Sequence, residues 1–170
     1  MIYFTADWHL DHANILFFEK ERPFKNIAKM NTGLIQRHNE VVKENDVVWH
    51  LGDFSLRGPE NWSMIRGWVH KLNGTHHLVL GNHDKLNPFL YLECGFLTVH
   101  TWFSINGLNM CHDPAWSIVD KKAWWLTAHV HSLFQTRKNC INVGVDVNNY
   151  RPISIEAIEG YIKNKTPETA

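Results

Sequence analysis

From His76 to Asp84 the chain reads H-H-L-V-L-G-N-H-D. The apolar run Leu78-Val79-Leu80 ends at a glycine and hands over Asn82, His83 and Asp84, all of which bind metals or move protons. Leaving such groups buried and unpaired costs about 1–3 kcal/mol each, so partners are required. The same grammar recurs along the chain. I-Y-F-T-A leads to Asp7-Trp8-His9, D-V-V-W-H-L-G to Asp53, L-N-M-C to His112, and W-W-L-T-A to His129-Val130-His131.

Asp7, His9, Asp53, Asn82, His112, His129 and His131 together offer two carboxylates, one amide oxygen and four imidazoles. A single ion of a His-rich site takes about three to six ligands, so seven of this mix suit two ions sharing a carboxylate. Paired divalent ions about 3.5–4 Å apart clamp both oxygens of an in-line phosphoryl displacement and generate hydroxide near neutral pH. Aspartate suits the shared position because its two oxygens can serve two ions. Nitrogen and oxygen donors without thiolate favour manganese, iron, zinc or nickel.

The elements that must position these residues follow from the apolar pattern. Five short apolar runs, each ending in Asp, Asn or His, read as buried strands. In open α/β sheets the ligand crevice lies at the carboxyl ends of the strands, where five such ends can converge. Alternation along a strand would aim Asp7 with His9, and His129 with His131. Strands are expected at 2–7, 47–52, 78–81, 124–128 and 140–147, with a hairpin of 97–105 and 108–112 across Asn106-Gly107. Helices are expected at 27–44, from Gly58-Pro59 to Asn73-Gly74, at 88–93 closed by Gly95, and after Ser154. This is an α/β chain, with two packed sheets flanked by helices: a four-layer α/β/β/α sandwich of two mixed sheets, the metal site at the carboxyl ends of the strands. Residues 1–165 are read as one domain and 166–170 as a frayed tail.

Lys plus Arg and Asp plus Glu are both 17, and hydrophobic residues make up 44%. A neutral chain is poorly suited to gripping long nucleic acid through many phosphates. Cys94, Cys111 and Cys140 are odd in number and have no C-x-x-C spacing, which points to a reducing compartment. With no signal-like start and no run long enough to span a bilayer, the expectation is a cytoplasmic protein without a membrane partner.

D-W-H, G-D, G-N-H-D, a lone histidine and H-V-H, in this order over residues 5–131, resemble the calcineurin-like metallophosphoesterase family. The flanking D-W-H-L-D-H-A-N-I, E-R-P-F and I-N-V-G-V-D extend the resemblance to a small bacterial and phage branch. It implies that Asp7, His9 and His131 hold one metal, and Asn82, His112 and His129 the second, with Asp53 bridging. Manganese is the first expectation, with iron, zinc and nickel as alternatives. A metal-activated hydroxide would attack phosphorus, His83 would stabilise the transition state or protonate the leaving oxygen, and Asp84 would orient that imidazole. Two positions depart from the pattern: Ala128 stands where glycine is usual, and Met110-Cys111 precedes the lone histidine.

The implied substrate is a small or nucleotide-like phosphodiester or phosphomonoester. A nuclease acting on longer nucleic acid is the alternative, and a scaffold without catalysis is a third reading, disfavoured by the complete ligand set. Taken singly, His38, His50, His70, His76, His77 and His100 are packing or surface residues, with His38 at the core edge and His50 packed or backing the site. His12 lies just after the first block and could face substrate. Arg57 is read as a solvated loop residue, Asp146 as a group behind a ligand histidine, and Trp8, Trp102 and Trp116 as candidate pocket walls. The loops 10–26 and 113–123 are expected to wall the site.

Overall fold

The structure is a computed structural model that describes residues 1–164. The first sheet has the order β10-β1-β2-β3-β4, built from β1 (Ile2–Thr5), β2 (Val47–His50), β3 (Thr75–Val79), β4 (Thr98–His100) and β10 (Ile153–Ser154). All its pairings are parallel except the edge strand β10. The second has the order β5-β6-β7-β9-β8: β5 (Trp102–Ile105), β6 (Leu108–Cys111), β7 (Trp124–Thr127), β8 (Thr136–Arg137) and β9 (Cys140–Asn142). Its centre is parallel and both its edge pairings are antiparallel. The two mixed sheets expected from the sequence are present.

The core between the sheets joins Phe4, Leu51 and Val79 of the first to Met110, Leu126 and Ile141 of the second. On the other face of the first sheet pack α2 (Ile27–Val41), α3 (Trp62–Val69) and α4 (Pro88–Cys94), through Met30 and Leu34, Ile65 and Val69, and Tyr91. The outer face of the second sheet is roofed more thinly. Cys111, Trp125 and Cys140 form a small cluster there, and the Trp125 Nε1–H donates to the Asp120 carbonyl beyond a 3-10 turn at Pro114–Val119. The last helix, α5 (Ile155–Asn164), sends Ile158 into the core between the sheets.

Local chemistry explains the helix ends. The Asn26 side chain accepts from the Lys29 N–H and caps α2, a contribution of about 1 kcal/mol. That helix stops at Val41, short of the expected 44, where the Asp46 carboxylate accepts from the Lys43 N–H and turns the chain toward β2. Gly95, at φ 113, closes α4 as expected.

Four expectations need correction. Residues 97–105 are not one strand: the chain leaves the first sheet after His100 and enters the second at Trp102. Only 102–105 forms the hairpin with β6, across Asn106 and Gly107 at φ 50 and 80. Strand β3 starts at Thr75, so His76 and His77 lie inside it. The strands expected to reach 7, 52, 128 and 147 end at Thr5, His50, Thr127 and Asn142. Beyond the first three, positive φ at Asp7, at Gly52 and Asp53, and at His129 breaks the extended run, and beyond Asn142 the chain enters a 3-10 turn at Val145–Val147. Trp8 is not a pocket wall; it is 1% exposed, stacked on Phe54 and edge-on to His38 and His50. The tail expected at 166–170 lies outside the described residues.

Parallel register brings the strand ends level, since Thr5 pairs with His50 and His50 with Leu78. At that end the sheets are joined by a parallel bridge between Ala6 and Gly144, with the Val145 N–H donating to the Ala6 carbonyl at 3.1 Å. The chemistry-bearing residues gather around this seam.

Candidate metal centre

Asp7, His9, Asp53, His129 and His131 all have φ between 46 and 71, the left-handed region. A non-glycine residue there costs about 1–2 kcal/mol, least for short polar side chains such as Asp. The expected strand alternation is therefore not what aims these side chains. Single left-handed residues turn the chain sharply enough for neighbours two apart to meet different partners. His129 and His131 separate accordingly: His129 gathers with Asp53 and His112, and His131 with Asp7 and His9. In each trio the donor atoms lie within 4.8 Å of one another. Ala128 is not among the residues with positive φ, because His129 takes the left-handed turn, so alanine serves where glycine was expected.

Asp53 belongs to the second trio and reaches the first through His9, and a further trio joins Asp53 with His9 and His83. Its Oδ2 is 3.4 Å from His9 Nε2 and 3.3 Å from His112 Nε2, and its Oδ1 accepts from the His83 backbone N–H at 2.8 Å. Asn82 Oδ1 is 3.1 Å from the same His112 Nε2. Gly81 permits this approach, because a Cβ there would overlap the Asp53 carboxylate and its backbone nitrogen. The seven expected ligands thus meet at one place, with Asp7, His9, Asp53 and His112 buried and Asn82 and His129 open to solvent.

The backing groups fix the imidazoles. His112 Nδ1 donates to the Leu51 carbonyl at 2.8 Å, and His131 Nδ1 lies 2.9 Å from Asp146 Oδ2. Asp146 is gripped by Arg22, through Nε at 2.7 Å and a second nitrogen at 2.8 Å. The same guanidinium donates to the carbonyls of Asp7 and Trp8. Asp146 thus stands behind His131, one of the expected ligands, as its place in V-G-V-D-V suggested. Arg22 was visible only as a letter of E-R-P-F; nothing local links it to a residue 124 positions away.

Charge and burial oppose each other here. Burial pushes Asp7 up to about 6 although His112 and His131 favour its charged form. Burial also pushes His9 down to about 2. Asp53 would rise on burial too, but its hydrogen bond to His112 and the charge of that ring hold it well below the usual range. His112 shows the converse: burial disfavours its cation, yet Asp53 and Asp7 raise it to about 9. The donor set fits divalent cations. His9 Nε2 is buried, faces Asp53 and has no hydrogen-bond partner among the described residues. A buried ring nitrogen without a partner is costly unless a cation takes its lone pair.

His83 is half-buried, with its ring 5.1 Å from that of His9 and 5.5 Å from that of His12. Asp84 corrects an expectation. Its carboxylate accepts from the backbone N–H groups of Asp53, Phe54 and Gly81, at 2.8, 3.0 and 2.9 Å, and both oxygens are thereby engaged. It pins the two loops that carry Asp53 and Asn82, where orientation of the His83 ring was expected. Burial pushes it up to about 6 against the N–H groups of Gly81 and Asp53. Arg57 is not simply solvated: its Nε donates to Asp11 Oδ2 at 2.7 Å, and Asp11 accepts from Asn31.

The model of calcineurin-like phosphoesterases matches residues 1–156. The "Uncharacterized protein MJ1445" of Methanocaldococcus jannaschii is 32% identical over 168 residues, 92% of this chain and 88% of its own. A "Gene 66 protein" of Mycobacterium phage D29 is 33% identical over 101 residues, 59% of this chain and 48% of its own. Among solved structures, a protein of unknown function from Aquifex aeolicus, AQ665, superposes with a TM-score of 0.75 at 25% identity, over 95% of this chain and 98% of that one. The nuclease MPE of Pseudomonas putida shares the fold, with a TM-score of 0.52 at 20% identity over 76% of this chain and 61% of its own. No helix among the described residues is long and apolar enough to cross a membrane. Ordered blocks of Asp, Asn and His, two mixed sheets and a match over nearly the whole chain agree: this chain belongs to the calcineurin-like phosphoesterase family.

Proposed function

We propose that the protein is a binuclear metal-dependent phosphoesterase that hydrolyses a small or nucleotide-like phosphoester. The position of Asp53 carries this reading: one carboxylate oxygen lies within 3.4 Å of imidazoles from two separate donor trios. Asp7, His9 and His131 would hold one divalent ion, and Asn82, His112 and His129 the other, with Asp53 shared. Manganese suits these donors, as do iron, zinc and nickel. When bound, the ions would supply Lewis-acid activation of water and of the phosphoryl oxygens near neutral pH.

The chain's own groups do the rest. His83, on the open side of the centre, donates a proton to the leaving oxygen, a contribution of about 10²–10⁴-fold. Its backbone N–H, held by Asp53 Oδ1, fixes the loop from which it acts. Asp84 keeps Gly81 and Asp53 in register, and Arg22 with Asp146 sets the His131 ring. Residues 1–165 are read as one domain, since the ligands come from both sheets. Three unpaired, buried cysteines favour the cytoplasm.

Nuclease action on longer nucleic acid is the second reading. Phe17 and Phe18 are 71% and 63% exposed, and the Phe18 ring lies 6.5 Å from that of His12, beside the centre, where a base could stack. The test strips the protein with a chelator and adds back manganese, iron, zinc or nickel. Hydrolysis of bis(p-nitrophenyl) phosphate, p-nitrophenyl phosphate and a single-stranded oligonucleotide is then compared for wild type, His83→Ala and Asp53→Asn. Metal-restored turnover that falls about 10²-fold or more in His83→Ala is expected. Equal rates in all three proteins would sink the proposal, and preference for the oligonucleotide would favour the second reading.

A further inference from the structure

We infer that His12 is a positioning residue, the hydrogen-bond acceptor that holds His9 in the one tautomer able to ligate a metal. The inference rests on the reading of His9 as a ligand. His9 Nε2 faces the Asp53 carboxylate from a side chain 2% exposed and has no hydrogen-bond partner among the described residues. A neutral imidazole carries a single proton, so an Nε2 lone pair aimed at a cation places that proton on Nδ1. His9 Nδ1 lies 3.2 Å from His12 Nδ1. His9 Nδ1–H therefore donates and His12 Nδ1 accepts, which leaves the proton of His12 on Nε2.

Ligating histidines give their second ring nitrogen a fixed partner. His112 has the Leu51 carbonyl and His131 has Asp146. His9 has another histidine, an acceptor only when its own Nδ1 is bare. The arrangement also settles the far side of the His12 ring. Its Nε2–H points away from His9, on a half-buried side chain whose ring is 5.5 Å from that of His83. The chain thus spends one imidazole to orient a ligand and keeps an N–H donor beside the proton-handling residue.

The test uses the full chain loaded with zinc, which is diamagnetic. Zinc affinity is measured by competition with a chromophoric chelator for wild type, His12→Phe and His12→Asn. Asparagine places an acceptor oxygen where the ring's Nδ1 stands. Phenylalanine should weaken binding of one ion about 10–100-fold, and asparagine should recover most of the loss. In ring-nitrogen NMR of the wild type, a proton on His9 Nδ1 is expected, with a coupling across the hydrogen bond to His12 Nδ1. Equal zinc affinity in wild type and folded His12→Phe overturns the inference, as does a proton found on His12 Nδ1. The wild-type spectrum decides if His12→Phe does not fold. Failure of the wild type to bind zinc at all overturns instead the metal-centre reading on which this one stands.

Discussion

A metal entering this centre displaces a proton. His112 is raised to about 9 by Asp53 and Asp7, so without metal its ring is protonated at neutral pH, while Asp53 stays ionised beside it. Its Nε2, which faces Asp53 and Asn82, must lose that proton to ligate. Apparent affinity should therefore rise with pH up to about 9, by as much as tenfold per unit, and metal loading at neutral pH should release about one proton per protein into a weak buffer. Titration calorimetry in buffers of different ionisation enthalpy measures that release, and a count near zero would contradict the arrangement. At this scale the sequence was most legible. The seven residues proposed as donors stood in its short strings, because ligand chemistry restricts residue type so tightly, and the fold brings them together. The left-handed backbone at Asp7, His9, Asp53, His129 and His131 did not show, since Asp and His are compatible with it without announcing it. The three amides held by Asp84 were equally hidden, because they come from loops that meet only in the fold.

Among elements, the connection between the two ends of the chain matters most. Arg22 follows α1 (Ile15–Phe18), and Asp146 lies in a 3-10 turn at Val145–Val147 beyond β9. Their side chains are 0% and 2% exposed. Removing one partner of a buried pair strands a charge and costs about 3–5 kcal/mol. Arg22→Met should therefore lower stability by that order and weaken the ion held by His131. Adding Asp146→Asn should recover part of the stability while leaving the metal affinity low, which denaturant midpoints and chelator competition can separate. Recovery of both together would mean that the pair has no hold on the ligand. Strand order was less legible than residue roles. T-V-H-T-W-F-S-I is rich in β-branched and aromatic residues, as a single strand would be, and only a slip in its alternation at His100–Phe103 accompanies the change of sheets. The short pairs β8 and β10 carry too few residues to show any period, and they complete edges that only tertiary packing defines.

Over the whole molecule, histidine is divided between chemistry and packing. His38 and His50 pack edge-on to Trp8, His50 also meets Phe54, His76 packs against His38, and none belongs to a donor trio. His38 and His76 both meet the Asn73 carbonyl. Burial pushes them down to about 4 and about 3, and holds His50 well below its usual value. The folded protein thus keeps these rings neutral where the unfolded chain would protonate them. Stability should be full above about pH 6.5 and decline as pH falls below it, by as much as about 1.4 kcal/mol per unit for each histidine. Urea midpoints across this range test the sign, and His76→Gln should shallow the slope. An unchanged slope would assign the acid sensitivity elsewhere.

The clamp of Arg22 on Asp146 also has a meaning for biosynthesis. A chain made from its amino end has Asp7, His9 and Arg22 early, but the carboxylate that locks them emerges 124 residues after Arg22. Until then His12 can reach the His9 ring, but the carboxylate that grips Arg22 and backs the His131 ring is not yet there. The centre would therefore be completed only after residue 146 has been made. A product cut short by the ribosome or a protease between residues 131 and 146 would carry every proposed ligand and lack the lock. Capture of the ion at His131 should therefore wait for the Asp146 segment, not for the ligands alone.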